Sequence, residues 1–158
     1  MLLYHGSNII VSSPKLIPSH RLLDFGPGFY LTSDLEQARK WALRVTKIRQ
    51  TGVATVSVFD FFEDRSGDVK VLAFEHPDKT WLEFVCANRL GRASGDEYDI
   101  VSGPVANDQT IRTLNDYMEG RFSADIALQL LRAEKLSDQY AFKTLNALKL
   151  LSYKEMLT

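Results

Sequence analysis

The chain has 158 residues, 45% hydrophobic and 25% charged, and its 19 Lys and Arg oppose 20 Asp and Glu for a net charge of −1. That profile predicts one globular domain over 1–158, large enough to bury a core without staples, and argues against a strongly basic nucleic-acid binder or a polybasic membrane anchor. Cys86 is the single cysteine, so an internal disulfide and a multi-cysteine metal site are excluded.

Leu2–Tyr4 is a short apolar run ending at His5-Gly6-Ser7, which predicts an N-terminal strand running into a turn. The N-terminus lacks the basic start and long apolar core of a signal peptide, and no apolar run is long enough for a membrane span. The expectation is a reducing, cytoplasmic location. Residues 8–27 carry Pro14, Pro18 and Pro27 and no periodicity, so an irregular loop is predicted there. Gly28–Thr32 is rich in β-formers and reads as a second strand.

Ser33-Asp34-Leu35-Glu36 has the pattern of a capping box, with Ser33 as the N-cap. Leu35, Ala38, Ala42, Val45 and Ile48 then follow helical spacing until Gly52. Val53–Phe59 alternates as a strand, and Val69–Phe74 is another candidate. Asp78–Leu90 reads as a helix with Trp81, Val85 and Asn88 on one face. Cys86 lies in this apolar stretch, which predicts a buried, inert thiol. Tyr98–Val105 reads as a strand broken at Gly103-Pro104.

Asn107–Met118 and Ser123–Lys135 read as helices, the second capped by Ser123 with an apolar stripe of Ile126, Ala127, Leu130 and Leu131. Gln139–Thr144 alternates as a strand, and Ala147–Leu151 is an apolar element whose type the pattern leaves open. Six or seven strands with four helices and irregular connections imply an α+β fold.

No Walker A loop, paired-cysteine zinc motif, His-Glu-x-x-His or Gly-x-Ser-x-Gly occurs. The three histidines, His5, His20 and His76, are too scattered to suggest a metal site. Three other segments stand out. His5-Gly6-Ser7 offers an imidazole, a hydroxyl and a backbone without Cβ that a ligand can approach. Asp24-Phe25-Gly26-Pro27-Gly28-Phe29-Tyr30-Leu31-Thr32 places two glycines around a proline, and Tyr30 and the later Trp41 supply flat faces. Asp138-Gln139-Tyr140 opens a late strand.

In this order the three segments resemble the diphtheria-toxin-like ADP-ribosyltransferases, the group that includes the poly(ADP-ribose) polymerases. His5-Gly6-Ser7 matches that family's His-Gly-Ser, and Gly26 to Thr32 matches its Gly-x-Gly-aromatic-Tyr pattern. Trp41 stands eleven residues after Tyr30, where the family has a second aromatic. Close matching covers about thirty residues, and the whole chain is similar to a branch of small bacterial proteins of that superfamily.

The resemblance implies an ADP-ribosyltransferase-like fold of split central antiparallel β-sheets flanked by helices. It implies NAD as the substrate and no metal. His5 and Ser7 would hold the adenosine ribose, the Gly6 backbone would grip the nicotinamide carboxamide, Tyr30 and Trp41 would sandwich the ring, and Gly28 belongs to the same cofactor-binding set. Gln139 would hold the 2′-hydroxyl of the nicotinamide ribose, so His5, Tyr30 and Gln139 form the expected catalytic set. Where this family usually carries Glu, the chain carries Gln139. The change keeps an acceptor oxygen and loses the charge opposite a developing cation, by analogy a loss of about 3 kcal/mol of transition-state stabilisation. Asp24 or Asp108 could supply a carboxylate if its fold position reaches the pocket, which sequence does not fix.

The implied activity is mono-ADP-ribosyl transfer to a macromolecular acceptor, in the setting of a bacterial toxin or effector. Implied partners are a protein acceptor first, nucleic acid second, no membrane, and a neutralising partner protein. Two alternatives stand beside it: an inactive NAD-binding or protein-interaction domain of the same fold, and an NAD glycohydrolase. Arg39, Lys40, Arg44, Lys47 and Arg49 make one basic helix face, which reads as solvated surface.

Overall fold

A computed structural model describes the chain except residues 93, 94 and 107–109, and except the side chain of Ser66. Asn107 and Asp108, named above, therefore lie outside the described residues. The architecture is α+β, with two sheets and helices on their outer faces.

The strands are β1 (Leu2–Ser7), β2 (Phe29–Leu31), β3 (Thr55–Phe61), β4 (Val71–Ala73), β5 (Ile100–Pro104), β6 (Asp138–Phe142) and β7 (Leu151–Leu157). The helices are α1 (Leu35–Arg49), α2 (Lys79–Arg89), α3 (Thr110–Met118), α4 (Ala124–Arg132) and the single turn α5 (Leu145–Leu148), with a 3₁₀ segment at Glu63–Asp68. One sheet has the order β1-β3-β7 and is antiparallel, and the other has the order β2-β6-β5-β4, antiparallel except for the parallel β4–β5 pair. A lone bridge, Tyr4 to Thr32, joins the two sheets edge to edge.

Alternation along the strands divides the core into three layers. Leu3, Phe59 and Phe61 of the first sheet meet Phe29, Leu31, Ile100 and Phe142 of the second. The opposite face of the second sheet, carrying Val101 and Ala141, packs against Trp81, Leu82 and Val85 of α2 and Leu114, Ala127 and Leu131 of α3 and α4. The opposite face of the first sheet packs Val56 against Ala38 and Ala42 of α1. β3 is thus covered on both faces, and its burial runs nearly unbroken where its sequence suggested a half-exposed alternation.

Other departures from the sequence reading trace to particular contacts, some of them between residues far apart in the chain. The N-cap of α1 is Asp34, whose side chain accepts from the Glu36 and Gln37 amides. Ser33 instead turns its hydroxyl to Asp138, so the Ser33–Glu36 capping box does not form. The helix ends at Arg49, before Gly52, with Gln50 in the left-handed region. Only Ala38 and Ala42 of its expected stripe are buried, and Ile48 is exposed. In α4 the buried residues are Ala127, Leu128 and Leu131, while Ile126 and Leu130 face outward.

The β5 strand runs through Gly103-Pro104 without a break. A Cβ on Gly103 would come 2.9 Å from the Phe74 Cβ, so the glycine lets the segment after β4 close over it. Ala147–Leu151 resolves into the end of α5 and the start of β7, an exposed edge strand that the sequence reading did not find.

Candidate functional site

The two sheets part immediately after the Tyr4–Thr32 bridge. Tyr4 exchanges both backbone hydrogen bonds with Thr32, at 2.8 and 3.0 Å. In an antiparallel ladder, successive residues turn their N–H and C=O groups to alternate sides. Gly6, two residues on, therefore also turns its pair away from β3 and toward β2. Continuing the register would set Gly6 opposite Tyr30. The Tyr30 carbonyl, however, accepts from His5 Nδ1 at 2.7 Å. The imidazole has taken the place of a ladder bond, and the strands splay. By that alternation the Gly6 N–H and C=O stand outside the β1–β3 ladder, and among the described residues no bond outside the strand ladders takes them up, although Gly6 is buried. Buried backbone groups are almost always paired, which marks this opening as a place where a ligand can complete the pairing.

Strand alternation fixes which side chains surround it. Tyr30 pairs with Ala141, and Gln139, two residues before Ala141, shares that face. Gly6 and Tyr30 would face the same way across the bridge register. The floor of the opening is therefore Gly6, Tyr30 and Gln139, with α1 on one side and the α2–α4 layer on the other. Trp41 lies on α1, 40% exposed, with the guanidinium carbons of Arg21 and Arg44 each 5.8 Å from its ring centre.

His5 points to the other face. It lies opposite Ser57 in the β1–β3 register and stacks on Phe29 with ring centres 4.4 Å apart. Burial lowers its pKa, the Tyr30 carbonyl raises it less, and Arg49 adds to the lowering. A carbonyl can only accept, so the neutral ring carries its proton on Nδ1 and keeps the Nε2 lone pair as an acceptor. Ser7 is buried at the end of β1, on the His5 side of the strand.

Tyr30 is tied to the loop before β2. Its hydroxyl donates to the Gly26 carbonyl at 2.6 Å and accepts from the Phe25 amide at 3.1 Å. Burial is the main reason its phenol pKa lies well above the usual value. The ring packs against the α2–α4 core. Among the described residues no ring contact joins Tyr30 to Trp41, so the expected facing pair is not closed. The glycines have packing reasons of their own. A Cβ on Gly6 would lie 2.1 Å from the Ala38 carbonyl oxygen of α1, and one on Gly28 would lie 3.0 Å from the Phe142 carbonyl oxygen.

Gln139 is buried, and its Nε2 donates to Asp24 Oδ2 at 2.8 Å. Asp24 Oδ2 also accepts from the Ala106 amide, and Oδ1 takes the Arg89 Nε and Nη2, both at 2.6 Å. The Asn88 amide holds the Asp24 carbonyl. Sequence reading named Asp24 as one carboxylate able to reach the pocket but missed Arg89. Its signal was Asn88, a polar residue on an otherwise apolar helix face, since such a residue needs a buried partner.

A second network anchors the start of β6. Asp138 accepts from the Thr32 hydroxyl at 3.0 Å, the Ser33 amide at 2.8 Å and the Ser33 hydroxyl. Ser137 donates to Asp34 at 2.7 Å, which is the first cause of that carboxyl's lowered pKa. These contacts lock the β2–α1 junction to β6, and so fix Tyr30, Trp41 and Gln139 on one frame. Lys143 follows β6 with a nearly buried side chain and donates to the Phe25 carbonyl at 2.6 Å. A separate concave region of about 260 Å³ beside Ser102, Asp138 and Tyr140 is lined by none of the expected site residues.

Over residues 1–153 the sequence matches a family described as "Protein of unknown function (DUF3990)". The chain belongs to the DUF3990 family. That match runs from β1 into β7, so the DUF3990 unit contains both sheets and every residue of the opening. No curated protein and no solved structure matches this DUF3990 chain. Among the described residues no cluster of His, Cys, Asp or Glu could hold a metal ion, and no helix is long and apolar enough to cross a membrane.

Proposed function

We propose that this protein is an NAD-dependent mono-ADP-ribosyltransferase with an ADP-ribosyltransferase-like fold, acting on a macromolecular acceptor. The observation that carries the reading is the open Gly6 N–H and C=O pair at the parting of the sheets. A primary carboxamide has one acceptor and two donors, and it complements such a pair. Tyr30 and Gln139 share the face onto which a bound nicotinamide and its ribose would lie, with Trp41 on the adjoining helix.

The reaction asks little covalent chemistry of the protein. The C1′–N bond to nicotinamide breaks, and the electron pair leaves with the ring, which loses its positive charge. C1′ then bonds to an acceptor nucleophile, whose proton passes to solvent or a nearby base. Orientation of the ribose and a negative potential near the forming oxocarbenium ion lower the barrier. Gln139 Oε1 supplies a dipole where a carboxylate would supply a charge. In the family that the chain resembles, elongation of a polymer goes with a Glu at this position, so the resemblance implies single transfer with Gln139. A protein acceptor fits the near-neutral charge of the chain best.

Nicotinamide release from NAD by the purified protein, alone and with cell lysate, tests the reading. Release that rises with lysate, together with label from NAD appearing on protein, is the expected result. Free ADP-ribose without labelled macromolecule would make the protein a glycohydrolase. NAD binding without any release would make it an NAD-binding domain.

A further inference from the structure

Gln139 and Asp24 form a pair whose hydrogen-bond direction is fixed by chemistry. An ionised carboxylate only accepts, so the contact at 2.8 Å must use the Gln139 amide nitrogen. The Gln139 Oε1 must then point elsewhere. Among the described residues nothing donates to it, and no fully buried side-chain oxygen or nitrogen lacks a partner. Oε1 therefore lies on the Tyr30 face of β6 without a donor among the described residues. Arg89 and the Ala106 amide hold the Asp24 carboxylate in place, so Asp24 is itself unable to turn away.

We propose that Asp24 is the positioning residue of this site: held by Arg89, it sets the Gln139 amide with Oε1 outward, as the acceptor for a ribose hydroxyl. The inference rests on the NAD reading above and deepens it. It explains why an amide is retained at 139. A carboxylate there would put two like charges within 2.8 Å of each other, and one would have to hold a proton at neutral pH.

Exchange of the two groups tests it. In Asp24→Asn, the new amide nitrogen faces Gln139 and the Gln139 side chain turns over to pair with it. Its NH₂ then points at the ribose, and NAD affinity falls about tenfold, the cost of roughly one misplaced hydrogen bond. In the double variant Asp24→Asn/Gln139→Glu, the amide introduced at position 24 donates to the carboxylate introduced at position 139. Total charge is unchanged, and the free carboxylate oxygen faces the ribose. NAD affinity recovers to within about threefold of the wild type, and nicotinamide release per bound NAD rises about tenfold or more. The readouts are calorimetry with NAD and nicotinamide release. Thermal denaturation of each variant verifies folding.

A purely structural Asp24 gives a different pattern, in which the double variant is no better than Asp24→Asn and both lose affinity in step with stability. That pattern, or NAD binding by Asp24→Asn equal to the wild type, overturns the positioning role while leaving the NAD reading intact. A wild-type protein that neither binds nor cleaves NAD overturns the NAD reading, and the positioning role falls with it.

Discussion

Replacing Gly6 with alanine probes the contact that seats α1 on the first sheet. The added Cβ would stand 2.1 Å from the Ala38 carbonyl oxygen and 2.9 Å from the Ala42 amide nitrogen. Ordinary contacts of this kind lie near 3.5 Å, so α1 must retreat by about 1 Å or β1 must bend. Both colliding atoms are backbone, so no rotamer change relieves them. Retreat also loosens Ala38 and Ala42 against Val56, the buried contact beneath the helix. Overpacking of this sort costs about 1–3 kcal/mol. For a domain of this size that corresponds to a Tm lower by about 3–10 °C. Calorimetric or circular-dichroism melting measures it, with Gly67→Ala as the control, since a Cβ there meets nothing within 4 Å. A Gly6→Ala protein melting within about 1 °C of the wild type would refute the close seating of α1 and, with it, the stated orientation of the Gly6 backbone.

Trp41→Ala should change stability by about 1 kcal/mol or less, because the ring is 40% exposed, yet weaken NAD binding about tenfold or more in titration calorimetry; unfolding without a separable binding defect would make Trp41 a core residue. Because the folded pKa of His5 lies below the unfolded value near 6.5, the unfolded chain takes the proton first as pH falls. Stability should be full above about pH 6.5 and decline below it, by up to about 1.4 kcal/mol per pH unit for that one proton; denaturant titrations of His5→Gln that keep the same slope would contradict the assignment. The buried Cys86 thiol, its pKa pushed up to about 11 by burial, should resist a disulfide reagent at pH 8 in the folded protein and react at once in denaturant; rapid reaction in the native state would refute its burial.

The elements most legible in the sequence were those whose cause is local. α2 starts at an Asp N-cap and buries Trp81, Val85 and Asn88 as their spacing implied. β1 was found as an apolar run ending in turn residues, β2 by its β-formers and β6 by its alternation. β7 was missed because its middle five residues are exposed, so no apolar alternation marks it; it is held by its ladder to β3. The capping of α1 was misassigned by one residue because Ser33 has a distant competitor, Asp138, which spacing cannot reveal.

At the candidate site, the residue types were legible and their directions were not. Sequence order brought Gly6, Tyr30 and Gln139 into one proposal, and strand alternation puts them on one face. It could not show that His5 turns to the opposite face and spends Nδ1 on the Tyr30 carbonyl, since that depends on where two strands part. Nor could it show that Asp24, 115 residues from Gln139, sits against it.

The most direct test of the NAD reading is the backbone amide of Gly6. In a nitrogen-15 NMR titration of the wild-type protein with NAD, the Gly6 and Tyr30 amides should shift together and saturate, and nicotinamide alone should reproduce the Gly6 shift. The Ser33 amide, which donates to the Asp138 carboxylate, should move less. NAD that leaves the Gly6 amide unmoved at millimolar concentration, or that shifts only amides elsewhere in the chain, would contradict the account.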